Sequence, residues 1–134
     1  MKQFLVFLFC LVSLSSFSQT DYYNARRTEL YEKSGSSWIK YSTNADANIS
    51  VSLSRNVVQV MAKNATSFKL DYSSLNEQRF DGFKVTTFTG YEIVNGRDCV
   101  IDFVKYDNTN YLVFSVVYMD VSPNINIRYY LLKD

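Results

Sequence analysis

The stretch Thr86–Tyr118, TTFTGYEIVNGRDCVIDFVKYDNTNYLVFSVVY, decides the fold class. Apolar and polar side chains alternate along three runs of this stretch. The runs are separated by Asn95-Gly96 and by the segment Asp107–Asn110, whose residue types favour tight turns. Alternation with a period of two is typical of a β-strand that buries one face. The stretch therefore predicts three consecutive antiparallel strands joined by hairpins.

Turn lengths predict the register of these hairpins, because a one-residue slip would move every side chain to the opposite face. We take Asn95-Gly96 as a two-residue loop, and Asp107–Asn110 and Val121–Asn124 as four-residue loops. These choices place large apolar side chains opposite one another in continuous rows, as expected for a sheet whose register is determined by its sequence. The predicted pairs are Phe88 with Phe103, Gly90 with Ile101, Glu92 with Cys99, Phe103 with Phe114, Ile101 with Val116, Cys99 with Tyr118, Phe114 with Leu131, Val116 with Tyr129, and Tyr118 with Ile127.

The rest of the chain from Ser37 onward shows the same alternation, with no sustained helical period. A loop at Arg55-Asn56 pairs Leu53 with Val58, and a loop at Asn64–Thr66 continues the apolar rows. The predicted strands are Trp38–Tyr41, Asn48–Ser54, Val57–Lys63, Ser67–Tyr72, Phe83–Ile93, Asp98–Tyr106, Tyr111–Asp120 and Ile125–Leu132. Tight turns between successive strands predict an all-β fold, a single antiparallel meander closed into a lipocalin-like small barrel. A two-layer β-sandwich and a half-barrel with an N-terminal helix are the alternatives.

The N-terminus has the pattern of an export signal. Lys2 precedes the apolar run Phe4–Leu14, which is too short to span a bilayer, and small residues at Ser16 and Ser18 suit a signal peptidase. We expect cleavage between Ser18 and Gln19, which places the protein in the periplasm or outside the cell with no transmembrane span. Residues 1–18 are then the signal peptide and residues 19–134 a single β domain, with a cover segment over 19–36 and the sheet over 37–134.

Composition argues against most catalytic and nucleic-acid functions. The chain has no His, which removes the commonest general base and metal ligand. Lys and Arg number 14 against 13 Asp and Glu, and this balance gives no basic excess for nucleic acid. No motif indicates a cofactor or a metal ion. After cleavage Cys99 is the one remaining cysteine, and its place in an apolar strand predicts a buried thiol without a disulfide.

Several stretches resemble a group of known proteins. They are the run Trp38–Tyr41, the segment from Asn48 to Met61 with Phe68–Leu70, the turn and strand from Asn95 to Ile101, the strand Leu112–Tyr118, and the pair Tyr129-Tyr130. Together they resemble small secreted β-rich proteins of uncharacterised function from Bacteroidetes bacteria. The resemblance covers most of the mature chain and rests on alternation patterns. It implies export and a β fold, and it implies no activity.

The C-terminal half differs from the N-terminal half because its second sheet face is also apolar. Such a face needs a cover, and an uncovered apolar patch marks an interaction surface. The internal candidates for a cover are Asp21–Ser34, as a short amphipathic helix or an extra strand, and the predicted loop Ser73–Asp81. The candidate residues for binding a protein or envelope partner are Val104, Val113, Leu132, Tyr106 and Tyr111. The sequence thus predicts a non-catalytic binding module that docks through this face.

A carrier for a small apolar ligand is the alternative function. Its candidate lining residues face the barrel interior and are Phe68, Tyr72, Phe88, Phe103, Phe114 and Tyr118. Large aromatic side chains tend to fill the interior of an eight-stranded barrel, which weighs against a carrier. Glu92, on the core-side row beside Tyr118, is the sole acid or base candidate for an enzyme. We expect it to lie at the barrel rim next to the Asn95-Gly96 turn, in a protein that is not an enzyme.

Overall fold

The computed structural model describes residues 20–45 and 48–133. The predicted signal peptide, residues 1–18, lies outside the described residues. The described residues form nine strands and no helix, and the strand bounds are β1 (Asp21–Ser34), β2 (Ser37–Asn44), β3 (Ile49–Leu53), β4 (Val57–Met61), β5 (Ala65–Phe80), β6 (Phe83–Glu92), β7 (Asp98–Tyr106), β8 (Tyr111–Tyr118) and β9 (Ile125–Lys133).

The strands form a closed antiparallel barrel. Strands β3 to β9 pair in sequence order, and β1 closes the sheet by pairing with β9 and β3. Strand β2 is additional and pairs with residues 28–34 of β1, whereas β3 pairs with residues 21–25. The all-β prediction is confirmed, and the eight-stranded barrel with one extra strand fits a lipocalin-like small barrel. Closure leaves β1 without the free edge that it would have in an open sheet.

Two segments differ from the sequence prediction. Residues 21–34, expected to cover the C-terminal sheet as a helix or an extra strand, form β1 and lie within the barrel wall. The segment from Ser73 to Asp81, predicted to be a loop, belongs to β5 as far as Phe80. Strand β5 continues through an irregularity between Asp71 and Asn76 and pairs again with β6. Neither segment therefore covers the outer face of β6 to β9.

The predicted register is confirmed in two hairpins and is wrong by two residues in two others. Strand β7 pairs with β8 through Phe103 and Phe114, as predicted, and β3 pairs with β4 through Leu53 and Val58. The observed pairs in the other two hairpins are Phe88 with Ile101, Gly90 with Cys99, Phe114 with Tyr129, Val116 with Ile127, and Tyr118 with Ile125. A two-residue shift keeps every side chain on its predicted face, because the side-chain period of a strand is two.

Wider turns explain both shifts. In the first, the amide of Glu92 donates to the carbonyl of Arg97 at 2.9 Å, and the amide of Gly96 donates to the carbonyl of Glu92 at 2.8 Å. The amide of Ile93 meanwhile donates to the carbonyl of Ser67 on β5 at 2.9 Å. This contact with a third strand is not readable from the local sequence. The second turn spans residues 119–124 and includes a cis peptide bond between Ser122 and Pro123.

Aromatic and aliphatic side chains fill the barrel interior. Phe114 is 0% exposed, and its ring lies 5.4 Å from those of Phe103 and Tyr129 and 6.0 Å from that of Phe68. The Phe88 ring lies 6.0 Å from the Phe103 ring. The other large side chains that are less than 2% exposed are Phe68, Ile101, Leu131, Val51, Val58 and Val116. The interior is thus a packed core.

Candidate functional site

The outer face of β5 to β9 carries a continuous row of aromatic rings. We call it the outer strip, and its residues are Phe80, Phe83, Tyr106, Tyr111 and Tyr130. Successive ring centroids lie 4.9, 6.0, 6.2 and 6.5 Å apart. Rings at such distances attract one another as well as shielding apolar surface. Each of these rings comes from a different strand, so the barrel register alone assembles the strip.

The five predicted partner-binding residues all lie on this face. Tyr106 and Tyr111 belong to the outer strip, and Leu132, which is 56% exposed, pairs with Tyr111. Val104 pairs with Val113, which is buried at the floor of a cavity of about 310 Å³. The predicted pairing of Phe114 with Leu131 would place Leu132 opposite Val113, and this placement is wrong. Tyr130 stands there instead because of the two-residue shift between β8 and β9.

Sequence reasoning missed three strip residues. Phe80 lies in the segment predicted to be a loop, and Tyr130 shares the face of Leu132 in the predicted register but is not among the candidate residues. Phe83 pairs with Tyr106 and stacks on Phe80. The available signal was the pair Phe80 and Phe83 flanking Asp81-Gly82, a typical turn of a two-residue hairpin.

A buried carboxylate fixes one end of the outer strip. Glu29 on β1 is 7% exposed and accepts hydrogen bonds from the hydroxyls of Tyr130 and Tyr31 and from Lys40 Nζ at 3.3 Å. The hydrogen bond from Tyr130 is the main reason that the pKa of Glu29 lies below its usual range. Burial, with the contact to Glu29, raises the pKa of Tyr130 to about 12. Tyr130 therefore stays neutral at physiological pH and its ring is held in place.

Arginines stack on the tyrosines of this end. The guanidinium of Arg27 lies 3.8 Å from the centre of the Tyr130 ring, and that of Arg128 lies 3.9 Å from the Tyr31 ring. Arg128 also donates to Asn126 Oδ1 at 2.7 Å, and Asn126 in turn donates to Ser115 Oγ at 2.6 Å. Cation–π contacts of this kind hold each guanidinium by its face, and Arg128 also uses one N–H of its edge on Asn126.

Five of the six predicted ligand-lining residues pack in the core and line little open space, whereas Tyr72 is 46% exposed. Phe68 and Phe114 are at most 1% exposed, and the Phe68 ring lies 6.4 Å from the Tyr118 ring. A cavity of about 270 Å³ lies at the barrel mouth and touches Tyr72, Phe88 and Phe103. Its remaining lining residues are Leu53, Ser54, Leu70, Lys84, Thr86, Lys105 and Leu112. Space for a ligand is thus at the mouth, and the centre is filled.

Another cavity, of about 570 Å³, lies over Gly90 between β5, β6 and β7. Its lining carries charges of both signs, with Lys69 beside Asp71 and Asp98. Opposite charges side by side favour no single class of ligand. The outer strip, with its aromatic rings and basic end, is the more selective surface.

Glu92 lies on the core side, as predicted, and pairs with Phe68 on β5; its predicted pairing with Cys99 on β7 is wrong, because Gly90 pairs with Cys99. It is 8% exposed and accepts hydrogen bonds from Asn95 Nδ2 at 2.6 Å and from the Tyr118 hydroxyl at 3.2 Å. Each carboxylate oxygen of Glu92 therefore accepts one hydrogen bond. Burial, with the charge of Glu92 nearby, raises the pKa of Tyr118 above its usual value. The carboxylate of Glu92 and the hydroxyl of Tyr118 thus form a hydrogen-bonded pair at one end of the core.

We expect the Cys99 thiol to resist alkylation in the folded protein. It is 3% exposed, and burial followed by the charge of Glu92 raises its pKa from 9.0 to about 11. At pH 8 this lowers the thiolate fraction by about 100-fold relative to an unfolded chain. Iodoacetamide labelling at pH 8, read by peptide mass mapping, should be at least that much slower without denaturant than in urea. Equal rates would place the thiol at the surface.

The same shift predicts a loss of stability at alkaline pH. Because the folded pKa of Cys99 exceeds the unfolded value, the unfolded chain releases this proton first. The contribution of Cys99 to the free energy of unfolding is complete below about pH 9 and is lost as the pH rises toward 11.

Comparisons with known proteins add no family to this description. No protein-family model, curated protein or solved structure matches the chain. Within residues 20–45 and 48–133, no group of three or more Cys, Asp or Glu side chains is placed to hold a metal ion. The described residues also contain no helix of the length and apolarity needed to cross a membrane.

Proposed function

We propose that this chain is an exported, non-catalytic binding module that docks a protein partner through the outer strip. The observation that carries this proposal is the row of five contacting aromatic rings on the outer face. Phe80, Tyr106 and Tyr111 keep 46%, 39% and 36% of their surface exposed. Ring contacts between strands stabilise the sheet, but a contiguous aromatic patch that keeps this much exposed surface supports a docking partner. Export follows from the pattern of residues 1–18.

A protein is favoured as the partner by the composition of the surface. Tyrosine, other aromatics and arginine are the residues most enriched at protein interfaces. The outer strip supplies the rings, Val104 and Leu132 add apolar area, and Arg27 and Arg128 lie at one end with their guanidinium faces stacked. A rigid aromatic centre beside charged groups of one sign is suited to an acidic partner surface.

Catalysis is disfavoured by the surroundings of the candidate acid. Glu92 is tethered by Asn95 and Tyr118 and is nearly buried. A general acid or base must reach a substrate atom within hydrogen-bond distance. The carboxylate of Glu92 instead satisfies two donors within its own barrel, which supports a structural role.

A small apolar ligand at the barrel mouth is the second candidate. It is favoured by the 270 Å³ cavity, whose walls include Tyr72, Phe88 and Phe103. Most ligand pockets in proteins enclose about 300–1,000 Å³, so this cavity suits only a small molecule. Phe114, fully buried beneath it, prevents deeper entry.

Site-specific photocrosslinking in the cells that make the protein tests both candidates. A benzophenone-bearing phenylalanine replaces Tyr111 in the outer strip, Tyr72 at the mouth, or Tyr41 on β2, which is 70% exposed and lies outside both sites. We expect a discrete protein adduct from the Tyr111 position, at least fivefold above that from Tyr41. All three positions are partly or largely exposed, so the variants should fold alike.

The adduct must then reproduce with purified components. The partner identified by mass spectrometry should bind the purified wild-type chain. Tyr106→Ser should weaken that binding at least tenfold, because central aromatic residues often supply much of the binding energy of an interface. Equal adducts from Tyr111 and Tyr41 contradict the docking proposal. A small-molecule adduct from the Tyr72 position, with no adduct from Tyr111, contradicts the docking proposal and supports binding of a small apolar ligand at the barrel mouth.

A further inference from the structure

A β-bulge turns two successive arginines toward one cavity. In β1, Ala25 pairs with Leu131 and Arg27 with Tyr130, so Arg26 is an extra residue without a partner on β9. On the other edge of β1, pairing with β3 ends at Ala25 and pairing with β2 begins at Thr28. Regular alternation would send Arg26 and Arg27 to opposite faces. The bulge instead lets both line the same outer cavity, which is how bulges re-aim side chains next to functional sites.

This cavity encloses about 380 Å³ at the basic end of the outer strip. We call it the arginine pocket, and its lining residues are Asn24, Arg26, Arg27, Tyr111, Tyr130, Leu132 and Lys133. One wall consists of Tyr111 and Tyr130, whose ring centroids lie 6.5 Å apart, together with the exposed Leu132. The other lining residues are Asn24, Arg26 and Arg27 from β1 and Lys133 from β9. The pocket therefore combines apolar and cationic side chains.

Neither arginine of the pocket forms an ion pair with a described carboxylate. Lys133 forms an ion pair with Asp21 at 3.3 Å, and Glu29 forms one with Lys40 at 3.3 Å. Neither Arg26 nor Arg27 has a carboxylate within 4.0 Å among residues 20–45 and 48–133. Arg27 is held against the Tyr130 ring at 3.8 Å. A guanidinium fixed by its face loses little conformational entropy when its N–H edge binds an oxyanion.

We propose that the arginine pocket binds the carboxylate of an acidic side chain that is flanked by apolar residues in the docked partner protein. This rests on the proposed docking function and names the anchor of the interface. A guanidinium can donate two parallel N–H bonds to a carboxylate, and two guanidinium groups line this pocket. The apolar flank of the bound segment lies against Tyr111 and Leu132, where the pocket opens onto the outer strip.

Titration of the full chain with short blocked peptides tests the proposal. The probe is acetyl-Leu-Glu-Phe-amide, and the matched control is acetyl-Leu-Gln-Phe-amide. In amide NMR spectra we expect saturable shifts at residues 24–28 and 130–133 with the glutamate peptide, and at least tenfold weaker binding of the glutamine peptide. Arg26→Gln and Arg27→Gln should each weaken binding of the glutamate peptide at least fivefold.

Two further variants separate geometry from charge. Arg27→Lys should still weaken binding, because lysine keeps the charge and loses the planar fork. Lys63→Gln removes one positive charge from the exposed turn between β4 and β5 and should leave binding unchanged. Inorganic phosphate at the same concentration should produce smaller shifts, since it has no apolar flank to contact Tyr111 and Leu132.

The outcomes distinguish this inference from the docking proposal. Three results would each overturn the proposed carboxylate anchor. They are equal binding of the two peptides, equal effects of Lys63→Gln and Arg27→Gln, and shifts with phosphate as large as those with the glutamate peptide. Any of these results leaves photocrosslinking from Tyr111 as the separate test of docking. If the glutamate peptide binds as expected while Tyr111 yields no protein adduct, the anchor chemistry stands and the docking proposal fails.

Discussion

Phe114→Ala should lower the free energy of unfolding by about 3–5 kcal/mol. The Phe114 side chain is 0% exposed and its ring contacts those of Phe68, Phe103 and Tyr129. Truncation removes the transfer energy of the ring and leaves a cavity that three other rings cannot fill by small movements. Small domains are stable by only about 5–15 kcal/mol, so this variant approaches the limit of folding. Urea denaturation followed by circular dichroism measures the loss.

A matched control distinguishes packing from a general effect of losing an aromatic ring. Tyr41→Ala removes a ring that is 70% exposed on β2, and we expect a change within about 0.5 kcal/mol. Phe114→Leu keeps much of the volume and should cost less than Phe114→Ala. If Phe114→Ala and Tyr41→Ala had similar effects, the barrel interior would not be packed around Phe114.

Gly90→Ala should destabilise the barrel by about 1–3 kcal/mol although it adds a single methyl group. A Cβ atom at Gly90 would lie 2.3 Å from the carbonyl oxygen of Lys69 and 3.2 Å from Ile101 Cδ1. The first neighbour is backbone of the paired strand β5, which cannot rotate away as a side chain can. Strands β5 and β6 would have to separate locally, which weakens their hydrogen bonds around Leu70.

Gly96→Asn is the control for Gly90→Ala. Gly96 has a φ of +66°, and a Cβ there would meet no atom within 4 Å. Asparagine tolerates positive φ better than other side chains, so the expected loss is below about 1 kcal/mol. Comparison of the two urea midpoints checks the prediction. A loss at Gly90 no greater than that at Gly96 would contradict the close approach of β5 to β6.

The strands and their faces could be predicted because they depend on local alternation. Runs such as the one from Cys99 to Phe103 alternate clearly, and their turns contain residues with strong preferences. The errors arose where a distant strand decides the outcome. At the Asn95-Gly96 turn, the amide of Ile93 donates to the carbonyl of Ser67 on β5. Residues 21–34 form strand β1 by pairing with β9 and β3, which are distant in sequence. Such pairings are not encoded by a local pattern.

The candidate site was predictable only in part for the same reason. Tyr106, Tyr111, Val104, Val113 and Leu132 were assigned to the outer face from their alternation. The arginine pocket depends on a bulge in β1 and on the closure between β1 and β9, neither of which produces a recognisable spacing. Arg26 and Arg27 are adjacent in sequence, and adjacency in a regular strand predicts opposite faces. The bulge on which the proposed arginine pocket depends is therefore not visible in the sequence pattern.

Barrel closure with a filled interior is the claim on which the outer strip and the arginine pocket both depend. Nuclear Overhauser measurements on the isotopically labelled full chain test it directly. We predict cross-strand backbone contacts between Ala25 and Leu131, which join β1 to β9, together with ring contacts between Phe103 and Phe114. Loss of the β1–β9 contacts, or rings of Phe103 and Phe114 on opposite sides of the sheet, would contradict the account.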